Sequence, residues 1–192
     1  MLKFIYSTVN AGKSANLIMR MHSCTERDIK YICFVPSIAG SRDGTATIRS
    51  RIGFTTEAHS FSSKEDLFQI TISKLVEEKE KLQSIKVIFV DEAQFLTKSQ
   101  VRNLCSINDE LEIPIHAYGL RTDFKGEPFE GSKYLMAWAD VIEEIPTFEA
   151  GTAQKATFNL KVDSDGARVN DGDSISPSFN YIPVSRKSFN SN

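Results

Sequence analysis

The amino-acid sequence predicts an α/β protein in which helices cover both faces of a parallel sheet, followed by a small β-type unit. Short β-rich runs alternate with stretches of helical spacing as far as Pro146, and this alternation is typical of parallel, helix-covered sheets. Beyond Pro146 the helical period ends and strand-like runs follow. We therefore expect one domain over residues 1–145 and a second over residues 146–192.

The elements of the first domain follow one another in a regular order. Strands are predicted at LKFIY (2–6), KYICFVP (30–36), EAHSF (57–61), KVIFVDEAQF (86–95) and IPIHAYGL (113–120). A long polar loop follows the last of these, and SKYLMAWAD (132–140) then leads into VIEEI (141–145). Helices are predicted at AGKSANLIMRMH (11–22), between residues 63 and 82, and at KSQVRNLCSINDEL (98–111). Residues 37–51 are rich in Gly, Ser and charge, which predicts a loop.

The second domain is predicted to be a small hairpin unit. ATFNLKV (156–162) and SFNYIPV (178–184) have the composition of strands, and the Asp165-Gly166 pair between them is a hairpin signal. The final residues, SRKSFNSN (185–192), are polar, so we expect a frayed end.

Composition and charge exclude several function classes. The 192 residues carry a net charge of −2, which gives no reason to expect binding to nucleic acid or to an anionic membrane. No apolar run reaches the length of about 20 residues that spans a bilayer, and the N-terminus does not have the pattern of a signal peptide. The three cysteines are scattered, as expected of small buried residues in a reducing cytosol.

The stretch YSTVNAGKSANL has the features of a phosphate-binding loop between a strand and a helix. Such a loop grips phosphate with consecutive backbone N–H groups at a helix N-terminus, while a lysine reaches the outer phosphates and the next hydroxyl binds Mg²⁺. Lys13 and Ser14 fill these two roles, after Gly12. Ser7 stands where the usual pattern has its first glycine, and we expect a small residue to be sufficient there.

The strand VIFVDEAQF supplies two acids at its carboxyl end. Asp91 is in the position from which an aspartate helps to hold Mg²⁺ beside a phosphate loop. Glu92 follows directly and can act in either of two ways. It can polarise water, as in a nucleotide hydrolase, or it can take a proton from a substrate hydroxyl, as in a kinase. The local residues do not decide between these alternatives.

Several segments together resemble the type II thymidine kinases of bacteria, phages, large DNA viruses and animal cytosol. They are YSTVNAGKSANL, SRIGF, VDEAQFL, YGLRTDFKGEPFEGS and LMAWAD, in the family's order and spacing from Phe4 to about Glu144. Some bacterial members of that family also carry serine at the first position of the loop. The resemblance favours the kinase over two other interpretations, a P-loop ATPase and a decayed paralogue that binds nucleotide without turnover.

The resemblance implies a RecA-like P-loop domain that transfers the γ-phosphoryl group of ATP to the 5′-hydroxyl of thymidine, in DNA precursor synthesis. It also implies Mg²⁺ held by Ser14 and Asp91, Glu92 as the general base, a homotetramer, and the cytosol of a bacterium or a phage-infected cell. The implied ATP-binding residues are Ser7, Thr8, Val9, Asn10, Ala11, Gly12, Lys13, Ser14, Arg42, Asp91 and Gln94. The implied nucleoside-binding residues are Phe95, Leu120, Arg121, Phe124, Phe129, Asn159 and Tyr181.

The sequence departs from the family in two places. The second domain of the family is a zinc-stapled "lasso" loop held by Cys-x-x-Cys-like pairs, but no cysteine or histidine occurs between residues 145 and 192 here. A structural zinc site needs thiolate or imidazole ligands, so we predict a lasso without zinc. In addition, Gly40 replaces an aspartate that many members carry two residues before the arginine that matches Arg42.

Overall fold

The computed structural model describes residues 1–39, 45–80, 84–173 and 179–191. Its strands are β1 (Leu2–Ser7), β2 (Tyr31–Pro36), β3 (Thr45–Arg49), β4 (Thr55–Phe61), β5 (Val87–Val90), β6 (Ile115–Leu120), β7 (Val141–Glu144), β8 (Phe158–Val162) and β9 (Asn180–Val184). Its helices are α1 (Lys13–Thr25), α2 (Leu67–Glu80), α3 (Lys98–Leu111), α4 (Glu130–Trp138) and α5 (Arg186–Ser191).

Seven strands form the main sheet, in the order β3-β4-β2-β5-β6-β1-β7. All neighbouring pairs are parallel except β3 with β4. The four residues of β5 are all buried, which is why its sequence, VIFV, is continuously apolar. The prediction of a parallel, RecA-like α/β sheet is confirmed. Because the carboxyl ends of parallel strands share one edge, the loops after β1, β5 and β6 come together there.

Each face of the main sheet carries its own apolar core, because successive side chains of a strand point to opposite sides. On one face, Leu17, Ile18 and Met21 of α1 pack against strand residues that include Ile5. On the other face, helices α2, α3 and α4 cover strand residues that include Phe4. The prediction of helices on both faces is therefore confirmed.

Two predicted irregular segments contain regular structure. Within the predicted loop 37–51, β3 pairs antiparallel with β4 at the sheet edge and buries Ile48. A short, half-polar edge strand has no continuous apolar run, so its composition indicated a loop. The predicted frayed end forms α5, whose N-terminus is capped because the Ser188 N–H donates to Ser185 Oγ at 3.2 Å.

The second sheet consists of β8 and β9, paired antiparallel, as predicted. Its small core joins Leu160, Val162 and Val184 with Phe158 and with Phe189 of α5. The rings of Phe158 and Phe189 stack with their centroids 4.4 Å apart. The position of the boundary between two domains, after residue 145, stays a prediction. In the described part of the chain no helix is long and apolar enough to cross a membrane.

Candidate functional site

The phosphate loop leaves β1 at Ser7 and enters α1 at Lys13. Two residues in it have left-handed backbone angles, Asn10 with φ 63° and Gly12 with φ 77°. Ser7, by contrast, is paired within the sheet opposite Leu120, and its hydroxyl donates to the Ile145 carbonyl. The first loop position therefore needs no glycine, because the tight turn lies at Asn10 and Gly12. This geometry explains why a serine is tolerated there.

Lys13 folds back over its own loop. Its Nζ donates to the Thr8 carbonyl at 2.6 Å. Burial lowers the pKa of Lys13, and the negative charges of Glu92 and Asp91 partly oppose this effect. The Lys13 ammonium group is thus buried near two acids, and its burial favours an anionic partner.

Asp91 lies at the end of β5 with only 3% of its surface exposed. Burial, together with the neighbouring charge of Glu92, raises its pKa to about 7. Hydrogen bonds from the Glu92 N–H, at 3.0 Å, and from the Ser14 hydroxyl oppose this shift. Ser14 and Asp91 are therefore in direct contact, which joins the phosphate loop to the acid pair.

Glu92 and Gln94 connect the acid pair to the loop after β6. Glu92 has a left-handed backbone with φ 50°, and its carboxylate accepts a hydrogen bond from the Gln94 amide. The Gln94 Oε1 in turn accepts from the Leu120 N–H at 3.0 Å. A Cβ added at Gly119 would lie 2.9 Å from the same Oε1, so the close approach requires glycine. Gln94 thus ties the Glu92 carboxylate to the end of β6.

Phe95, Leu120 and Phe129 lie beside this connection. The Phe95 and Phe129 rings meet edge to face with centroids 5.6 Å apart. The Leu120 carbonyl accepts from the buried hydroxyl of Ser132. Close packing of α4 fixes the arrangement, because a Cβ at Gly131 would lie 2.4 Å from the Ala93 carbonyl. This packing places the Phe95 and Phe129 rings beside the end of β6.

Phe124 and Tyr181 belong to a second group of predicted nucleoside residues. Phe124 is only 2% exposed, and Lys161 Nζ lies 4.8 Å from the centre of its ring. Tyr181 pairs with Lys161 in the second sheet and is partly buried. The Phe124 ring is thus covered by the protein itself in this structure.

Arg121 and Asn159 line a small crevice where the second sheet meets the carboxyl end of β1. Arg121 donates to the Thr157 carbonyl at 3.0 Å, and its guanidinium lies near the rings of Tyr6 and Phe158. Asn159 accepts from the Val9 N–H at 2.9 Å. The crevice is lined by Tyr6, Ser7, Thr8, Arg121, Thr122, Glu144, Thr157 and Asn159. Arg42 lies outside the described residues, as does Gly40.

The sequence predicts a magnesium site and the absence of a zinc site. Ser14 and Asp91 offer a hydroxyl and a carboxylate oxygen, the ligands that Mg²⁺ prefers, and that ion needs few protein ligands. They fit the ion, because a cation beside Asp91 would favour its ionised form. Across the described ranges no group of three or more His, Cys, Asp or Glu side chains could hold a metal. The absence of zinc stays a prediction.

A hydrogen-bonded cluster joins Glu149 to the start of α5. The Glu149 carboxylate accepts from the hydroxyls of Ser188 and Ser185 and from the Ser185 backbone, and these bonds lower its pKa. The Ser185 and Ser188 hydroxyl oxygens lie 3.2 Å apart beside it. The turn around Glu149 is thereby tied to the start of α5.

Sequence reasoning missed several residues that position the site. They are Tyr6, Gly119, Thr122, Gly131, Ser132, Glu149 and Thr157. Their contacts are with segments that are remote in the chain, and no local pattern predicts such a contact.

The comparisons with known proteins agree with this geometry. A family model described as thymidine kinase matches residues 1–189. The thymidine kinase of Coxiella burnetii is 42% identical over 190 residues, which are 98% of this chain and 94% of that protein. The thymidine kinase of Pasteurella multocida is 43% identical over 187 residues, 96% of this chain and 94% of its own. A solved structure titled "ATPase Domain of G40P" covers 98% of this chain and 82% of that chain with 14% identity and a TM-score of 0.49, too weak a likeness to bear on function.

Proposed function

The chain belongs to the thymidine kinase family, and from that premise we propose that it transfers the γ-phosphoryl group of ATP to the 5′-hydroxyl of thymidine. Its substrates are thymidine and ATP, and its activity is that of an ATP-dependent phosphotransferase. The observation that carries the proposal is the match to the family over nearly the whole chain, together with an intact phosphate loop beside an acid pair. The ATPase and the decayed paralogue have no comparable support.

The phosphate loop would bind ATP at the N-terminus of α1. Backbone N–H groups of residues 10–14 would hold phosphate oxygens, and Lys13 would keep its bond to the Thr8 carbonyl while its other N–H groups reach the outer phosphates. Binding of the phosphates is favourable because the desolvated ammonium gains an anionic partner. Ser7, Thr8, Val9 and Ala11 would shape this loop, and Gln94 would support the acid pair beside it.

Glu92 would act as the general base. Its carboxylate would accept the proton of the 5′-hydroxyl as the hydroxyl oxygen bonds to the γ-phosphorus and the bond to the departing ADP oxygen breaks. Gln94 supports this role, because it holds the Glu92 carboxylate and the Leu120 N–H at the same time. The base is thereby fixed relative to both substrates.

The magnesium ion would be held by Ser14 and Asp91. When bound, it would neutralise charge that develops on the transferring phosphates. Asp91 would be fully ionised in that state, because a cation favours the charged carboxylate.

The nucleoside would bind on the side of the loop after β6. Phe95, Leu120 and Phe129 supply an apolar wall there, and Phe124 and Tyr181 would join it when the second sheet adjusts. Arg121 would act by holding the Thr157 segment beside this wall. These assignments follow the family resemblance and the neighbourhood of the residues in space.

The remaining proposals concern the state of the protein. We expect a homotetramer in the cytoplasm, divided into domains at residues 145 and 146, without bound nucleic acid. The exposed apolar side chains of Met19, Phe54, Ile142 and Phe148 are compatible with covered surfaces in an oligomer. Light scattering of the purified protein decides the oligomeric state.

Replacing Glu92 by glutamine tests the base. The Glu92→Gln variant should bind ATP and thymidine normally but transfer phosphate about 10²–10⁴-fold more slowly, because an amide cannot accept the hydroxyl proton. The measurement is the rate of thymidine 5′-phosphate formation, with Glu110→Gln, an exposed residue of α3, as the control. Near-normal turnover of the Glu92 variant would remove this residue from the mechanism.

A further inference from the structure

Asn159 links two parts of the site that are far apart in the sequence. It lies on β8 and is 3% exposed. Its Oδ1 accepts from the Val9 N–H at 2.9 Å, and its Nδ2 donates toward the Thr122 carbonyl at 3.4 Å. The buried Asn159 amide thus accepts a hydrogen bond from the phosphate loop and donates one to the segment after β6.

The contact of Asn159 with the phosphate loop is made to the peptide group between Thr8 and Val9. The Val9 N–H and the Thr8 carbonyl belong to the same planar peptide unit. Lys13 Nζ donates to that carbonyl at 2.6 Å. Asn159 and Lys13 therefore bind opposite edges of one rigid plane. Rotation of this plane would break both contacts, so Asn159 fixes the group that holds the lysine.

The contact on the other side reaches the nucleoside segment. Thr122 follows Leu120 and Arg121 directly, and Arg121 is itself tied to the Thr157 carbonyl at 3.0 Å. Thr122 also pairs with Pro128, which closes the turn that contains Phe124. A shift of this segment when the nucleoside binds would change the hydrogen bond between the Thr122 carbonyl and Asn159.

We propose that Asn159 is a positioning residue that couples the nucleoside segment to Lys13 through the Thr8–Val9 peptide. This inference rests on the proposed function and deepens it, since it concerns how the two substrates of one site affect each other. Binding of thymidine would fix Thr122, Thr122 would fix the Asn159 amide, and the amide would hold the loop in its phosphate-binding form. By linkage, ATP would strengthen thymidine binding by the same factor.

The experiment measures the Kd of β,γ-methylene ATP with and without saturating thymidine. In the wild type, thymidine should tighten binding of the analogue by about five-fold, the effect expected of one buried hydrogen bond. In Asn159→Leu this factor should fall to about one, and the Kd without thymidine should rise by about five-fold.

Two further variants keep the test decisive. Asn159→Asp retains an acceptor for the Val9 N–H but, once ionised, has no donor for the Thr122 carbonyl, so it should lose the coupling. Asn108→Leu removes a comparable contact, from Asn108 Nδ2 to the Ile113 carbonyl at 3.1 Å, on the remote helix α3. It should behave as the wild type does.

The outcomes separate this inference from the proposed function. A coupling factor of one in the wild type overturns the inference, and so does an unchanged factor in Asn159→Asp even if Asn159→Leu does not fold. Absence of thymidine 5′-phosphate from wild-type reactions overturns the proposed function instead. A wild type that makes this product while both Asn159 variants keep the coupling leaves the function standing and removes only the coupling role.

Discussion

Replacing Asp91 by asparagine should remove a large part of the pH dependence of stability in the ligand-free protein. The carboxyl group is 3% exposed, and burial beside Glu92 raises its pKa from 3.8 to about 7. The folded protein therefore holds this proton more tightly than the unfolded chain does. Stability from this group is fully present below the unfolded pKa and is lost as the pH rises toward 7.

The size of the effect follows from the two pKa values. Each unit of difference corresponds to about 1.4 kcal/mol, and integration from pH 5 to pH 8 gives a loss of about 2–3 kcal/mol from Asp91. Asparagine does not titrate, and its Oδ1 can still accept from the Glu92 N–H. The variant should thus be more stable than the wild type at pH 8, with a smaller difference at pH 5.

The assay is urea unfolding at pH 5, 6, 7 and 8, followed by the fluorescence of Trp138, the single tryptophan of the chain. Asp109→Asn, an exposed carboxylate on α3, is the control and should follow the wild-type curve. The reasoning is refuted if the difference between Asp91→Asn and the wild type stays constant between pH 5 and pH 8.

Three further outcomes can be checked. Lys13→Ala should weaken ATP binding about 10- to 100-fold in calorimetry, since a charged hydrogen bond to the phosphates is lost; unchanged affinity would count against the phosphate loop. Glu149→Ala should accelerate hydrogen exchange of Arg186–Ser191 but not of α3, because the carboxylate ties Ser185 and Ser188 to its own turn; equal exchange in both proteins would contradict that role. Elemental analysis should find no stoichiometric zinc, and chelators should leave activity intact; one equivalent of zinc per chain would show that other ligands exist.

Much of the fold could be predicted because its signals are local. The helix predicted at 98–111 has the same bounds in the structure, because its apolar residues recur with helical spacing. The structure adds a capping box of Thr97 and Gln100 at its start. The strand predicted over residues 86–95 was too long: β5 covers only Val87–Val90, because Glu92 has a left-handed backbone and a short 3₁₀ turn follows at Ala93–Phe95. The edge strand β3 was missed, because a strand with one buried face and polar neighbours has the composition of a loop.

The candidate site was predictable only in part, because only some of its signals are local in the sequence. Lys13, Ser14, Asp91 and Glu92 stand in motifs whose spacing is set within a few residues. The partners that hold them are backbone groups of remote segments, as when Gln94 meets the Leu120 N–H. Asn159 was expected to bind the nucleoside, but both of its polar atoms contact the protein here. Its assignment to the nucleoside stays untested.

The most direct test of thymidine kinase activity follows the terminal phosphate of γ-labelled ATP in the presence of each of the four deoxynucleosides and of none. Transfer to thymidine is expected, with formation of labelled thymidine 5′-phosphate and with ADP release that depends on added thymidine. Glu92→Gln serves as the negative control. Release of labelled inorganic phosphate at the same rate with and without thymidine would contradict the account, because Glu92 would then be activating water.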